Sequence, residues 1–219
     1  MHRSLGKSDP SIAAYIADMS TLATFIQLGF RHIVDVEAMD HILFLLALAA
    51  IYRLRDARDA LWVITAFTVG HSITLALAVT GIVTLPSALI EFLIPITIVA
   101  TGIENLVVSD RTRAPWGGRY RPVFAGVFGL VHGAGFANYL KALFVDHIAL
   151  PLFGFNVGIE LGQITVLLAA AVLLAAVDRM IAALPWRRID WPTLRVRVVA
   201  VSLVVVAVAS RWAVERNPW

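Results

Sequence analysis

Apolar residues fill the chain in long runs broken by short arginine-bearing stretches, and the run lengths predict a helical bundle built for a membrane. Within residues 11–30, Ile12, Tyr15, Ile16, Met19, Leu22, Ile26 and Phe30 share one face of a 3.6-residue repeat, with Asp18, Thr21, Thr24 and Gln27 elsewhere. That pattern predicts an amphipathic helix lying at the membrane surface, with a seventh spanning helix as the alternative. Six more uniformly apolar segments follow, at about 33–53, 61–83, 85–108, 123–145, 148–177 and 196–212. The expected organisation is an N-terminal tail and interfacial helix, 1–32, followed by one all-α transmembrane domain, 33–219. Pro86, Pro122, Pro151 and Pro192 stand near segment starts, where a missing N–H costs least. Pro95 falls inside the third segment and predicts a kink there.

Composition strengthens this reading. Hydrophobic residues make up 59% of the 219 positions and charged residues 15%, with mean hydropathy +0.81. Soluble domains average nearer 45–50% apolar and about 25% charged. Such an excess cannot be hidden in one core, so lipid must solvate much of the surface, and no sizeable soluble domain fits. The net charge of +3 and pI near 9.7 do not indicate nucleic acid, because the arginines gather in short connections. Arg53, Arg55 and Arg58 lie in one, Arg111, Arg113, Arg119 and Arg121 in a second, and Arg179, Arg187, Arg188, Arg195 and Arg197 around a third. The alternate connections, near Gly81 and Asp146, carry almost no basic residues, so the arginine-rich set is expected to be cytoplasmic. No apolar run of leader form follows the charged first ten residues, and no cleaved leader is expected. Cysteine is absent, which excludes disulfides and thiolate metal ligands.

Ionisable residues then stand out against the apolar background. Glu37, Asp40, His41 and Phe44 form an i, i+3, i+4, i+7 stripe opening the first span. Thr65, Thr68, His71 and Thr74, with Ser72 beside them, make a polar ribbon in the second. Glu91 and Glu104 lie towards opposite ends of the third, His132 near the middle of the fourth, and Asn156, Glu160 and Gln163 share a face of the fifth. An Asp at the centre of a spanning helix costs roughly 2.5–3.5 kcal/mol if it faces lipid, so these groups are expected to face inward and meet.

The candidate metal ligands are His41, His71, His132, Asp40, Glu160 and Glu91, supported by Asn156, Gln163, Thr68 and Ser72. Neutral imidazole with carboxylate suits a divalent Ni, Co, Zn or Fe ion, and the lack of Cys and of Met clusters argues against Cu(I). The same residues also suit a proton relay or a purely structural set of Asp–His and Glu–His hydrogen bonds, and Asp40 could orient a histidine instead of ligating. His32 and Asp35 are expected to be solvated residues at the outer interface, with a cation mouth that includes Glu37 as the second reading. Glu104 is expected near the inner end, paired with Arg111 or Arg113. The rows Gly154, Gly158, Gly162 and Gly129, Gly133 predict close helix packing.

Several stretches resemble the HupE/UreJ family of bacterial membrane proteins: Gly29-Phe-Arg-His-Ile33, Asp40-His-Ile-Leu-Phe44, Thr65-Ala-Phe-Thr-Val-Gly-His-Ser72, Phe128-Gly-Leu-Val-His-Gly-Ala-Gly-Phe-Ala137 and Phe155-Asn-Val-Gly-Ile-Glu-Leu-Gly-Gln163. The resemblance implies a multi-span inner-membrane protein of a family named for hydrogenase and urease accessory functions, with members regarded as nickel or cobalt permeases. It carries the family's HxxxxxDH motif onto His32, Asp40 and His41, here with eight residues between the two histidines. Two functions remain open: a divalent-cation permease, or a membrane-embedded metal-dependent hydrolase acting on a lipid or membrane peptide. A sensor or assembly factor without turnover, and a homo-oligomer, are compatible with both.

Overall fold

The computed structural model describes residues 10–36, 39–108, 118–143, 148–183 and 192–219. Among these residues the chain forms seven α-helices: α1 (Pro10–Val34), α2 (Met39–Ile51), α3 (Ala57–Val79), α4 (Ser87–Val107), α5 (Arg121–Leu143), α6 (Ala149–Ala183) and α7 (Thr193–Glu215). Four of them, α3, α4, α6 and α7, are long and apolar enough to cross a membrane. Large apolar side chains such as Trp62, Phe153, Leu173 and Met180 stand exposed around the bundle, as expected where lipid is the solvent. Pro86 and Pro192 immediately precede α4 and α7, as their lack of an N–H favours. Helix α4 continues through Pro95, which is buried in its interior.

The first expected span is divided. Ile33 and Val34 belong to the end of α1, the helical run breaks, and α2 contributes only 13 residues, about 20 Å of helix. Asp35, Glu37 and Asp40 stand at this break, but acidic residues there serve equally as the polar opening of a span; Asp40 falls in the first turn of α2, where the helix dipole favours a carboxylate.

Two glycine rows explain how the helices come together. Along α6, a Cβ on Gly154 would press on Leu22, one on Gly158 would collide with the Ile26 carbonyl and one on Gly162 would press on Phe30 and Ile33. Positions rise together along both chains, so α1 runs parallel to α6 through its second half instead of lying across the surface. Gly126, Gly129 and Gly133 of α5 likewise meet Ala66, Phe67 and His71 of α3 in parallel order. Absence of a side chain is what permits such contact.

The arginine-rich connections meet at one end of the bundle. Arg197 donates to the carbonyls of Ala50 (3.1 Å) and Tyr52 (3.2 Å) and to Asp178 (2.6 Å), satisfying acceptors at the end of α2 that no helix turn can reach. Asn105 donates to the Ala47 carbonyl at 2.7 Å and accepts from Arg121 at 3.3 Å, tying α4 and α5 to the same region.

Candidate metal centre

Each parallel helix pair delivers one side of the site. The α1–α6 contact carries His32, in the last turn of α1, into the bundle. The α3–α5 contact places Gly133 on the backbone of His71, and so sets His132, its neighbour in sequence, beside that residue. His41 arrives from the second residue after the start of α2. His32, His41 and His71 each offer a nitrogen within 4.8 Å of the others. Their rings lie 4.7 Å (His32 to His41), 6.2 Å (His32 to His71) and 6.5 Å (His41 to His71) apart by centroid, and His132 lies 5.4 Å from His41.

Burial makes the cluster chemically pointed. His71 is 0% exposed, His132 3% and His41 8%. Both ring nitrogens of His41 and of His71, Nε2 of His32 and Nδ1 of His132 are buried without a hydrogen-bond partner. A buried polar atom left without a partner costs about 1–3 kcal/mol, and six in one cluster mark a site shaped for something other than its own stability. Phe67, Phe136 and Phe155 pack around the imidazoles, with Phe136 4.1 Å from the His32 ring and Phe67 5.1 Å from His132. Nitrogen lone pairs in an apolar shell are the donor set of a transition-metal cation.

Thr97 is the hydrogen-bond partner of His132. Thr97 gives its hydroxyl proton to the Ile94 carbonyl at 2.7 Å, so its oxygen accepts from His132 Nε2 at 3.1 Å. This arrangement is the one in which Nε2 carries the proton and Nδ1 is the bare nitrogen.

This chain belongs to the HupE/UreJ family. The family model for HupE / UreJ proteins matches residues 9–216, which includes every helix that builds the cluster. No curated protein and no solved structure matches the chain. Membership makes it a membrane protein of a family linked to nickel and cobalt handling, and the buried histidines accord with that link.

Other candidate residues take different places. Asp40 accepts from Arg216 Nη1 at 3.1 Å through Oδ2, while its Oδ1 is buried without a hydrogen-bond partner. Glu160 accepts from Thr65 at 2.5 Å and Gln163 from Thr68 at 3.0 Å, so both join the seam between α3 and α6. Ser72 donates to the Thr68 carbonyl, and Asn156 to that of Leu152 within its own helix, leaving Asn156 Oδ1 buried and unpartnered. Glu91 is exposed near the start of α4, so the inward orientation expected of it does not hold. Asp35 is exposed just beyond α1, and Glu37 lies outside the described residues.

Glu104 pairs with Arg121 and accepts from Tyr120; Arg111 and Arg113, its expected partners, lie outside the described residues. Burial, followed by the Glu104 carboxylate, raises the Tyr120 phenol above its ordinary pKa, which keeps it a donor. Glu104, Asn105, Tyr120 and Arg121 line one end of a cavity of about 60 Å³ whose other walls include Phe44 and Phe128. Phe44 in turn lies 6.3 Å from the His132 ring.

His32 is the residue that sequence reasoning ranked too low. Placing the first span at 33 left it outside the bilayer, whereas α1 continues through it. The usable signal was Gly29, whose packing on the Phe155 carbonyl draws this part of α1 inward.

Proposed function

We propose that this protein is a permease for a divalent transition-metal cation of the nickel or cobalt kind. The observation that carries the reading is the set of partnerless imidazole nitrogens of His32, His41 and His71, within ligating distance of one another inside an apolar shell. His132 Nδ1 is the fourth nitrogen available to a moving cation. Neutral ligands bind a divalent ion without the full hold of several carboxylates, which suits a station that must also release.

The break between α1 and α2 supports the same reading. The carbonyl end of α1 terminates beside the cluster, and such an end carries partial negative charge that favours a cation. Beyond Phe44, the cavity ending at Glu104 offers a route towards the arginine-rich end. We take that end as the cytoplasmic side of a bacterial inner membrane, with α1 and α2 together forming one interrupted crossing beside those of α3 to α7. The cation then approaches from the opposite face.

A hydrolase would need a carboxylate free to take a proton from bound water. Glu160 is engaged by Thr65 in the α3–α6 seam and Glu91 is exposed on α4, which favours transport.

The test is uptake of radiolabelled Ni²⁺ and Co²⁺ into proteoliposomes containing the full chain. Uptake above empty vesicles, lost in His41→Ala and His71→Ala, is the expected result. No uptake by the unaltered protein, or uptake unchanged in both variants, rules the proposal out.

A further inference from the structure

We infer that Arg216 is a tethered counter-cation for the histidine cluster, neutralising Asp40 in the metal-free protein and giving way when a divalent cation arrives. The inference rests on the transport reading and concerns how its site changes affinity.

Asp40 lies in the first turn of α2, next in sequence to His41, and is 20% exposed. A carboxylate so placed, mostly out of water beside the buried His41, is stabilised by a compensating charge. Arg216 supplies it from the far end of the chain, at the residue that closes α7, through the single contact of 3.1 Å to Oδ2. Its guanidinium lies 5.4 Å above the Trp212 ring, and Trp219 meets the edge of Phe92 at 5.4 Å. Residues 216–219 thus form a strap from α7 over the start of α2 to α4.

Three features make the pair exchangeable. Arg216 is 33% exposed, more open than its partner, so the guanidinium has a path to water. Oδ1 of Asp40 holds no hydrogen bond, so the contact is one-pronged and lacks the geometry of a bidentate lock. Finally, a divalent ion at the neighbouring His41 repels the guanidinium while competing for the same carboxylate. One negative charge cannot serve both cations. Holding Asp40 with Arg216 therefore weakens metal binding and aids release, and occupancy of the histidines frees the strap.

The experiment uses the full chain in lipid nanodiscs, titrated with Ni²⁺ alone and with Co²⁺ alone. Binding is compared for the unaltered protein, Arg216→Gln, Arg216→Lys and His41→Ala. Because the chain has no cysteine, Pro218→Cys gives a single site for a spin label on the strap. Expected are binding on the order of tenfold tighter in Arg216→Gln, near-unaltered binding in Arg216→Lys, and a label that gains mobility on cation addition except when His41→Ala is also present. Equal or weaker binding by Arg216→Gln, or a label that does not respond while cation binds, overturns the inference and leaves the metal site standing. Absence of binding by the unaltered protein overturns the transport reading and this inference with it.

Discussion

Gly133 of α5 rests on the backbone of His71 of α3 so closely that a Cβ would meet the His71 carbonyl carbon, oxygen and Cα at once. The contact joins two helices at the depth where both carry a site histidine, so packing and chemistry are set by the same pair. Gly133→Ala is expected to separate α3 from α5 at a cost of about 1–3 kcal/mol. Thermal unfolding in detergent checks this, and cation binding should weaken in parallel. Unchanged stability would mean that the helices can part there without cost.

His71 offers the converse experiment. Both its ring nitrogens are buried and unpartnered, so His71→Leu removes desolvated polar atoms from an apolar setting. Stability should rise by about 1 kcal/mol while cation binding falls by more than tenfold. A variant that loses stability would show that His71 has a structural partner.

Thr97 meets His132 Nε2 through its hydroxyl oxygen at 3.1 Å. Thr97→Val keeps the shape of the side chain and removes the acceptor, and cation affinity should fall about tenfold, in the range typical of partners that orient ligands. Calorimetric titration distinguishes this from Thr101→Val, whose hydroxyl donates only to its own helix.

Much of the architecture was legible from hydropathy alone. The segments expected at 61–83, 85–108 and 196–212 correspond to α3, α4 and α7 within a few residues, because lipid demands continuous apolar helices. His41, His71 and His132 were legible for the same reason: an imidazole inside such a helix has few explanations. The break after Val34 was not, since Asp35, Glu37 and Asp40 serve equally as the polar start of a span, and the packing of α1 on α6 at Gly29, Gly158 and Gly162 lies far off in sequence. Ion pairs such as Asp40–Arg216, 176 positions apart, have no local signature at all.

The pair of Glu104 and Arg121 is open to a charge test. Arg121 is 6% exposed, so Glu104→Gln leaves a guanidinium facing an apolar cavity without its anion. With Glu104 itself 27% exposed, water offsets part of the loss, and a cost of about 2 kcal/mol is expected. Adding Arg121→Gln should restore most of it. Failure of the double variant to recover would mean that Arg121 matters for contacts other than the carboxylate.

Arg197 grips the last carbonyls of α2, while the opposite end of that helix follows the break in the helical run after Val34. Helix α2 is consequently a short rod clamped at its base and tied at its tip through the Asp40–Arg216 pair, so any tilt that release of this pair allows grows towards the tip. Asp40 and His41 occupy the tip. The two side chains most exposed to a change of cation thus have the greatest leverage, and the arginine-rich end stays fixed as they move.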